Sequence, residues 1–254
     1  MKPSKTILVL LAVTVMCFFC YGQAFTADSL QLAAAKGKEQ APKADPSKAK
    51  AGATKQEMKP LEALGVYLDG FHFQSGHMSH QMEAHHFCAQ LNEDLIQCVL
   101  YDGNAKDSRM IGIEYVISEK AFKSLPEAEK GMWHSHVYEV KSGMLVGPGM
   151  PEAAEHGLLS KLISTYGKTW HTWNMDSMKK DMPLGVPDLM WGFTADGQMD
   201  PALGKARDAK MGVSSDAKRK ARADIPAPQI QPGADAWQKG KDVKLELKPI
   251  EMKK

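Results

Sequence analysis

Histidines are the residues of this chain best suited to chemistry. Five of its nine, His85, His86, His134, His136 and His171, sit in the short stretches EAHHFCAQ, WHSHVYE and TYGKTWHTW. His134 and His136 are spaced i, i+2. On a strand that spacing puts both imidazoles on one face, about 7 Å apart along the chain, where they can share a metal. A third imidazole from a neighbouring element would complete a three-ligand site with one position open to water. His86, His134, His136 and His171 are therefore the candidate ligands of a divalent transition metal, with Glu83 and Glu139 close by in sequence. The plainer reading makes His134 and His136 half-buried residues hydrogen-bonded to backbone or to Glu139. His85 and His86 are adjacent, and adjacent helical residues diverge by about 100°, so that pair is a weaker site by itself.

Other reactive types give less. Ser135 lies between two histidines, but strand alternation turns it the other way. Tyr166-Gly167-Lys168 reads as a helix end, because no glycine-rich cradle precedes it. Cys88 and Cys98, ten positions apart, are either one disulfide or two small buried side chains. Without a CxxC pair beyond the leader, a paired-CxxC zinc site is excluded. Trp133, Trp170 and Trp173 are candidates to line a ligand cleft, and are equally explained as core residues.

The elements that must position these residues follow from the pattern of the whole chain. Its 254 residues suffice for one substantial domain with tails. Residues 1–24 read as a signal peptide: Lys2 and Lys5 precede an apolar run from Thr6 to Tyr21, and Gly22-Gln23-Ala24 offers a cleavage site. That run is short of the roughly 20 residues of a comfortable span, so no transmembrane segment is expected in the mature chain. Export, to a periplasm or outside the cell, is the expectation. Without Lys2 and Lys5 the 32 basic residues fall to 30, level with the 30 acids, which gives no reason to invoke nucleic acid. Residues 25–60, rich in Lys, Ala and Pro, lack the apolar side chains to offset ordering entropy and read as a disordered linker.

The ordered part is placed at 61–194. Leu61, Leu64, Leu68 and Phe71 recur at helical spacing, and Met78 to Cys88 is compatible with a second helix. Leu95 to Tyr101 and Arg109 to Ile117 read as an antiparallel hairpin. A helix is expected after Ser124, a strand from Trp133 to Val140, and a short one at Met144 to Val146. The best helix runs from Pro151 to Tyr166, closed by Gly167. Strands follow at Thr169 to Met175 and Leu189 to Phe193. The fold class is α+β: a single domain with a mostly antiparallel sheet packed by helices. Residues 195–254 read as an irregular tail, helical near Ser214 to Ala223.

The blocks EAHHFCAQLNEDLIQCVLYD, RMIGIEYVIS, WHSHVYEVKSG, TYGKTWHTW and MPLGVPDLM, in this order over about 61–190, resemble the oil-body-associated protein family. That family is also catalogued as a domain of unknown function, and occurs in plants, fungi and bacteria. The N-terminal segment departs from the plant pattern, which makes this chain look like an exported, bacterial-type member. The resemblance implies association with lipid bodies and no established reaction. Two readings follow. One is a non-catalytic exported protein that binds an apolar small molecule, a lipid surface or a partner. The other is a metal-dependent enzyme using the histidine cluster.

Overall fold

Six antiparallel strands close on themselves in the computed structural model, which describes residues 57–173 and 182–253. After a short helix α1 (Lys59–Glu62) come β1 (Val66–Gln74), β2 (His77–Asn92), β3 (Leu95–Tyr101) and β4 (Met110–Ile117) as a continuous meander. Two small helices follow, α2 (Glu119–Lys123) and α3 (Glu127–Lys130), then the two-residue β5 (His134–Ser135) and α4 (Val137–Ser142). The helix α5 (Glu152–Leu162) leads into β6 (Tyr166–His171), and β7 (Asp188–Trp191) completes the sheet. The order is β4-β3-β2-β1-β7-β6, with β6 pairing back onto β4 to close a barrel, and β5 added to β6 beside β7. Closure gives each of the six strands a partner on both sides over part of its length.

Each turn has a local cause. Ser75-Gly76 joins β1 to β2, with Gly76 at a φ of 77° that a side chain would disfavour. The loop from β3 to β4 is closed by Asp102, which accepts from the backbone N–H and from Nε of Arg109 at 2.8 and 2.7 Å. The register then fixes which side chains face inward, because directly opposed residues share a face. Leu68 opposes His86, His86 opposes Leu100, Leu100 opposes Gly112, and Gly112 opposes His171. Cys88 opposes Cys98 across β2 and β3, and the two sulfurs are bonded.

The barrel is covered at one end and along one wall. Leu159, Leu162 and Ile163 of the α5 region pack on Leu68, Val116 and Leu145. Outside β1 and β7, Phe71, Phe73, Leu189, Trp191 and Phe193 form a second core. That core is roofed by α6 (Pro201–Met211), and the chain continues into α7 (Ser215–Ala221) and a 3-10 turn at Ala236–Lys239. Two buried guanidinium groups bind these helices to the barrel. Arg207 donates to Asp69 Oδ1 at 2.7 Å and to the Met144 carbonyl at 2.8 Å. Arg222 donates to the carbonyls of Val140 and Leu145. The partly helical segment after Thr194 is thus packed onto the barrel.

Several expected elements are corrected. Residues 61–71 were expected as a helix, but most of them belong to α1 and β1. Residues 78–88 were expected as a helix and form the centre of β2. In both strands the inner and the outer face are buried, so the two-residue alternation that marks a strand is masked. The strand expected from Trp133 to Val140 is only β5, after which the chain turns into α4 and ends at Gly143 in the left-handed region. The strand at Met144 to Val146 reduces to one bridge between Asp69 and Val146. Helix formation near Ser124 is split, with Ser118 capping α2 and Pro126 preceding α3. The antiparallel sheet and its packed helices are present in a single domain as expected, with the sheet closed into a barrel. Residues 1–56, which include the whole expected signal peptide and nearly all of the linker, lie outside the described residues.

Removing Arg207 would strand the fully buried Asp69 carboxylate, the kind of broken pair that costs about 3–5 kcal/mol. Arg207→Ala is expected to lose that much in urea unfolding; a loss below about 1 kcal/mol would show that the guanidinium does not anchor α6.

Candidate functional site: a histidine–glutamate centre inside the barrel

The centre is built around Glu114. It projects from β4 into the barrel on the same face as Gly112 and Val116, and its side chain is 3 % exposed. Four imidazoles converge on its carboxylate. His86 Nε2, from β2, lies 3.0 Å from Oε2, and His72 Nε2, from β1, lies 3.7 Å from the same oxygen. His136 Nε2, at the start of α4, is 3.2 Å from Oε1, and His134 Nε2, from β5, is 3.6 Å from it. His134 reaches Glu114 across Gly167 of β6. A Cβ on Gly167 would lie 2.6 Å from His134 Nε2 and closer still to Glu114 Oε1, so the barrel wall must be bare there.

The tautomers of two of these rings follow from their outer partners. His86 Nδ1 faces the Ala84 carbonyl at 3.0 Å, and a carbonyl only accepts, so Nδ1 carries the proton. Thr165 spends its hydroxyl proton on the Leu162 carbonyl at 2.6 Å, and therefore accepts from His136 Nδ1 at 2.8 Å. In neutral His86 and His136 the Nε2 lone pair is then aimed at a carboxylate. Lone pairs facing a carboxylate repel unless a cation, either a second proton on each ring or a metal ion, lies between them. An Nδ1–H held by an oxygen, with Nε2 directed inward, is how ligating histidines are oriented.

Burial bears on the remaining groups. It holds the His134 ring well below its ordinary value, at about 3, and does the same to His171, while the nearby Glu114 carboxylate opposes the shift. Burial also opposes ionisation of Glu114, but the surrounding imidazoles of His136, His86 and His134 outweigh it and keep that carboxyl well below the usual range. Glu139, from α4, sits with His134 and His136 in a second set of donors whose ligand atoms all lie within 4.8 Å of one another; burial pushes its carboxyl well up. Both ring nitrogens of His134 are buried with no hydrogen-bond partner. Such orphaned nitrogens are rare unless something else satisfies them.

His86, His134 and His136 of the expected ligands come together. His171 stands one step back, with Nε2 3.3 Å from His72 Nδ1, so it orients His72 rather than facing Glu114. His72 and Glu114 were not among the expected ligands. His85 points through the opposite face of β2, where Tyr67, Asp69 and Glu83 surround it. The tryptophans do not share a cleft. Trp133 is buried with Phe122 and Tyr166, Trp170 packs outside the barrel against the β1–β7 core, and Trp173 lies beside Arg109.

A cavity next to the centre has a volume of about 80 Å³. His72, His86, Glu114, His136 and Glu139 form its polar end, and the Cys88–Cys98 disulfide lines it as well. Among the described residues no helix is long and apolar enough to cross a membrane.

In protein treated with chelator, His134 and His171 are expected to stay neutral from about pH 8 to about pH 5, because their folded values lie below that window. Side-chain ¹⁵N NMR of labelled histidine reads this directly. A titration of either ring centred near the ordinary 6.5 would contradict the burial described here.

No solved structure matches the chain. Oil body-associated protein 1A of Zea mays is 42% identical over 201 residues, covering 78% of this chain and 83% of that protein. Oil body-associated protein 1B of Arabidopsis thaliana is 40% identical over 200 residues, covering 78% and 82%. Oil body-associated protein 2A of Arabidopsis thaliana is 35% identical over 228 residues, covering 86% and 92%. These relatives correct the expectation of a periplasmic or secreted protein: they are plant proteins named for oil bodies, and the segment that suggested export lies outside the described residues. The family model described as "Protein of unknown function (DUF1264)" matches residues 58–226, and with these relatives it establishes that the chain belongs to the oil body-associated protein family.

Proposed function

We propose that this chain is a metalloprotein whose barrel interior binds one divalent transition ion through His72, His86, His134, His136 and Glu114. The observation that carries the reading is the pair of fixed tautomers at His86 and His136, both of which present Nε2 to one buried carboxylate. Protonating both rings instead would bury two cations against one anion, which is costly in a closed interior. The spacing agrees. Donors about 2.1 Å from a common ion lie about 3.0 Å apart at right angles and about 3.4 Å apart at tetrahedral angles. The separations from Glu114 to the four Nε2 atoms run from 3.0 to 3.7 Å. Imidazoles with one carboxylate suit zinc, iron, copper or nickel better than calcium or magnesium.

His171 and Thr165 serve this site from behind, holding His72 and His136 in orientation. An ion held there would act as a Lewis acid toward an oxygen ligand arriving through the cavity. Of the two readings drawn from the sequence, a non-catalytic binder of an apolar small molecule, a lipid surface or a partner and a metal-dependent enzyme, the proposed metal follows the second; the cavity beside the donors has apolar walls.

Elemental analysis of protein purified without chelator is expected to give about one equivalent of a single transition metal per chain, with His134→Ala losing it and His171→Ala weakening the affinity about 10- to 100-fold. Stoichiometric metal that survives in both Glu114→Gln and His134→Ala, or no metal retained by the wild type on reconstitution with zinc, iron, nickel and copper, would overturn the assignment.

A further inference from the structure

The cavity beside the donors has a composition that selects a ligand. Its deep wall is aliphatic, made by Leu68, Val116, Leu145 and Leu162. Its mouth passes the partly exposed Val66, Ile96 and Leu158, with Gln90 exposed at the rim. Apart from the histidines, none of the described residues lining it is aromatic, so these offer no flat ring a stacking surface. Among the described residues no Ser, Thr, Asn, Lys or Arg lines it, so sugars, nucleotides and phosphates would find neither the hydrogen-bonding groups nor the fixed cations that hold them. A positive charge at its polar end would come from the ion that the histidines and Glu114 hold.

We infer that the cavity takes an aliphatic carboxylic acid, with its carboxylate at the histidine–glutamate centre and its hydrocarbon chain running along the leucine wall toward Leu158. The inference rests on the metal reading above and names the ligand class of that same centre. A volume of about 80 Å³ is about half that of an engineered apolar cavity that accepts one benzene. The interior therefore holds the head group and the first methylenes, and a longer chain must leave past Val66, Ile96 and Leu158. One ligand end is fixed by charge and the other is left free in length. Affinity should thus grow with each methylene the wall covers and then level off once the chain reaches the mouth.

The test uses the full chain loaded with Co(II), whose visible absorption reports its ligands, and a series of butyrate, hexanoate, octanoate and decanoate followed by calorimetry. Affinity is expected to rise about fourfold per methylene over the first members. Each acid should shift the Co(II) spectrum, and decanol should bind more weakly than decanoate. Leu158→Trp, which narrows the mouth, should weaken decanoate at least about tenfold with Co(II) content unchanged. Leu158→Gln, a milder change at a partly exposed helix position, should weaken it about threefold or more and serves if the tryptophan variant does not fold. If Co(II) binds but decanoate does not saturate, shows no dependence on chain length, or is matched by decanol, the ligand inference is overturned and the metal reading stands. Should the chain retain no Co(II), the metal reading fails and the carboxylate loses its anchor, whatever the calorimetry of the metal-free protein shows.

Discussion

A carboxylate sealed inside a barrel has to be neutralised, and the rest of this molecule is arranged around how Glu114 solves that problem. Among the described residues no lysine or arginine pairs with it. Its neighbours are the imidazoles of His72, His86, His134 and His136, at separations of 3.0 to 3.7 Å. An imidazole can meet a carboxylate as a donor or, with an ion between them, as a fellow ligand. For His86 and His136 the outer hydrogen bonds to Ala84 and Thr165 have already spent the Nδ1 proton. Those two backbone-anchored contacts, remote from any ligand, decide what the inner nitrogens can do.

The scaffold supplies the approach distances. Strand closure brings β4 against β6, and Gly167 leaves a gap in β6 through which Glu114 and His134 meet. The short β5 and the turn into α4 deliver His134 and His136 to adjacent positions from different elements, their ring centroids 5.2 Å apart. Behind α4, Arg222 ties the Val140 carbonyl to the C-terminal helices, so the wall that carries His136 is braced from outside. On the far face of β1 the buried Asp69–Arg207 pair does the same for the strand that carries His72. The two arginines lie outside the barrel yet hold two of the histidine-bearing segments.

Much of this was legible in the sequence, and the gaps have physical causes. The His-x-His pair at 134 and 136 pointed to the centre because its spacing is unusual, although only His134 proved to be in a strand. The antiparallel pairing of β3 and β4 followed from their length and the Asp102-Gly103 turn. Glu114 was missed because it alternates with the more apolar Ile111, Ile113 and Ile117, which a sequence reading turns inward, and its partners could not be read without the barrel. His72 was hidden because β1 buries Phe71 and Phe73 on one face and Leu68 and His72 on the other. A strand with two buried faces has no amphipathic period, so leucines at helical spacing gave a false helix. His85 and His86 were expected to diverge by about 100° on a helix; as strand neighbours they point to opposite sides of the sheet.

Anomalous diffraction from crystals of the chain loaded with zinc, measured on both sides of the zinc absorption edge, tests the central claim most directly. The account predicts one dominant peak inside the barrel, within about 2.2 Å of nitrogen atoms from at least three of His72, His86, His134 and His136 and of a Glu114 oxygen. A barrel interior with no anomalous peak at full zinc saturation, or a peak held only by surface carboxylates, would contradict it.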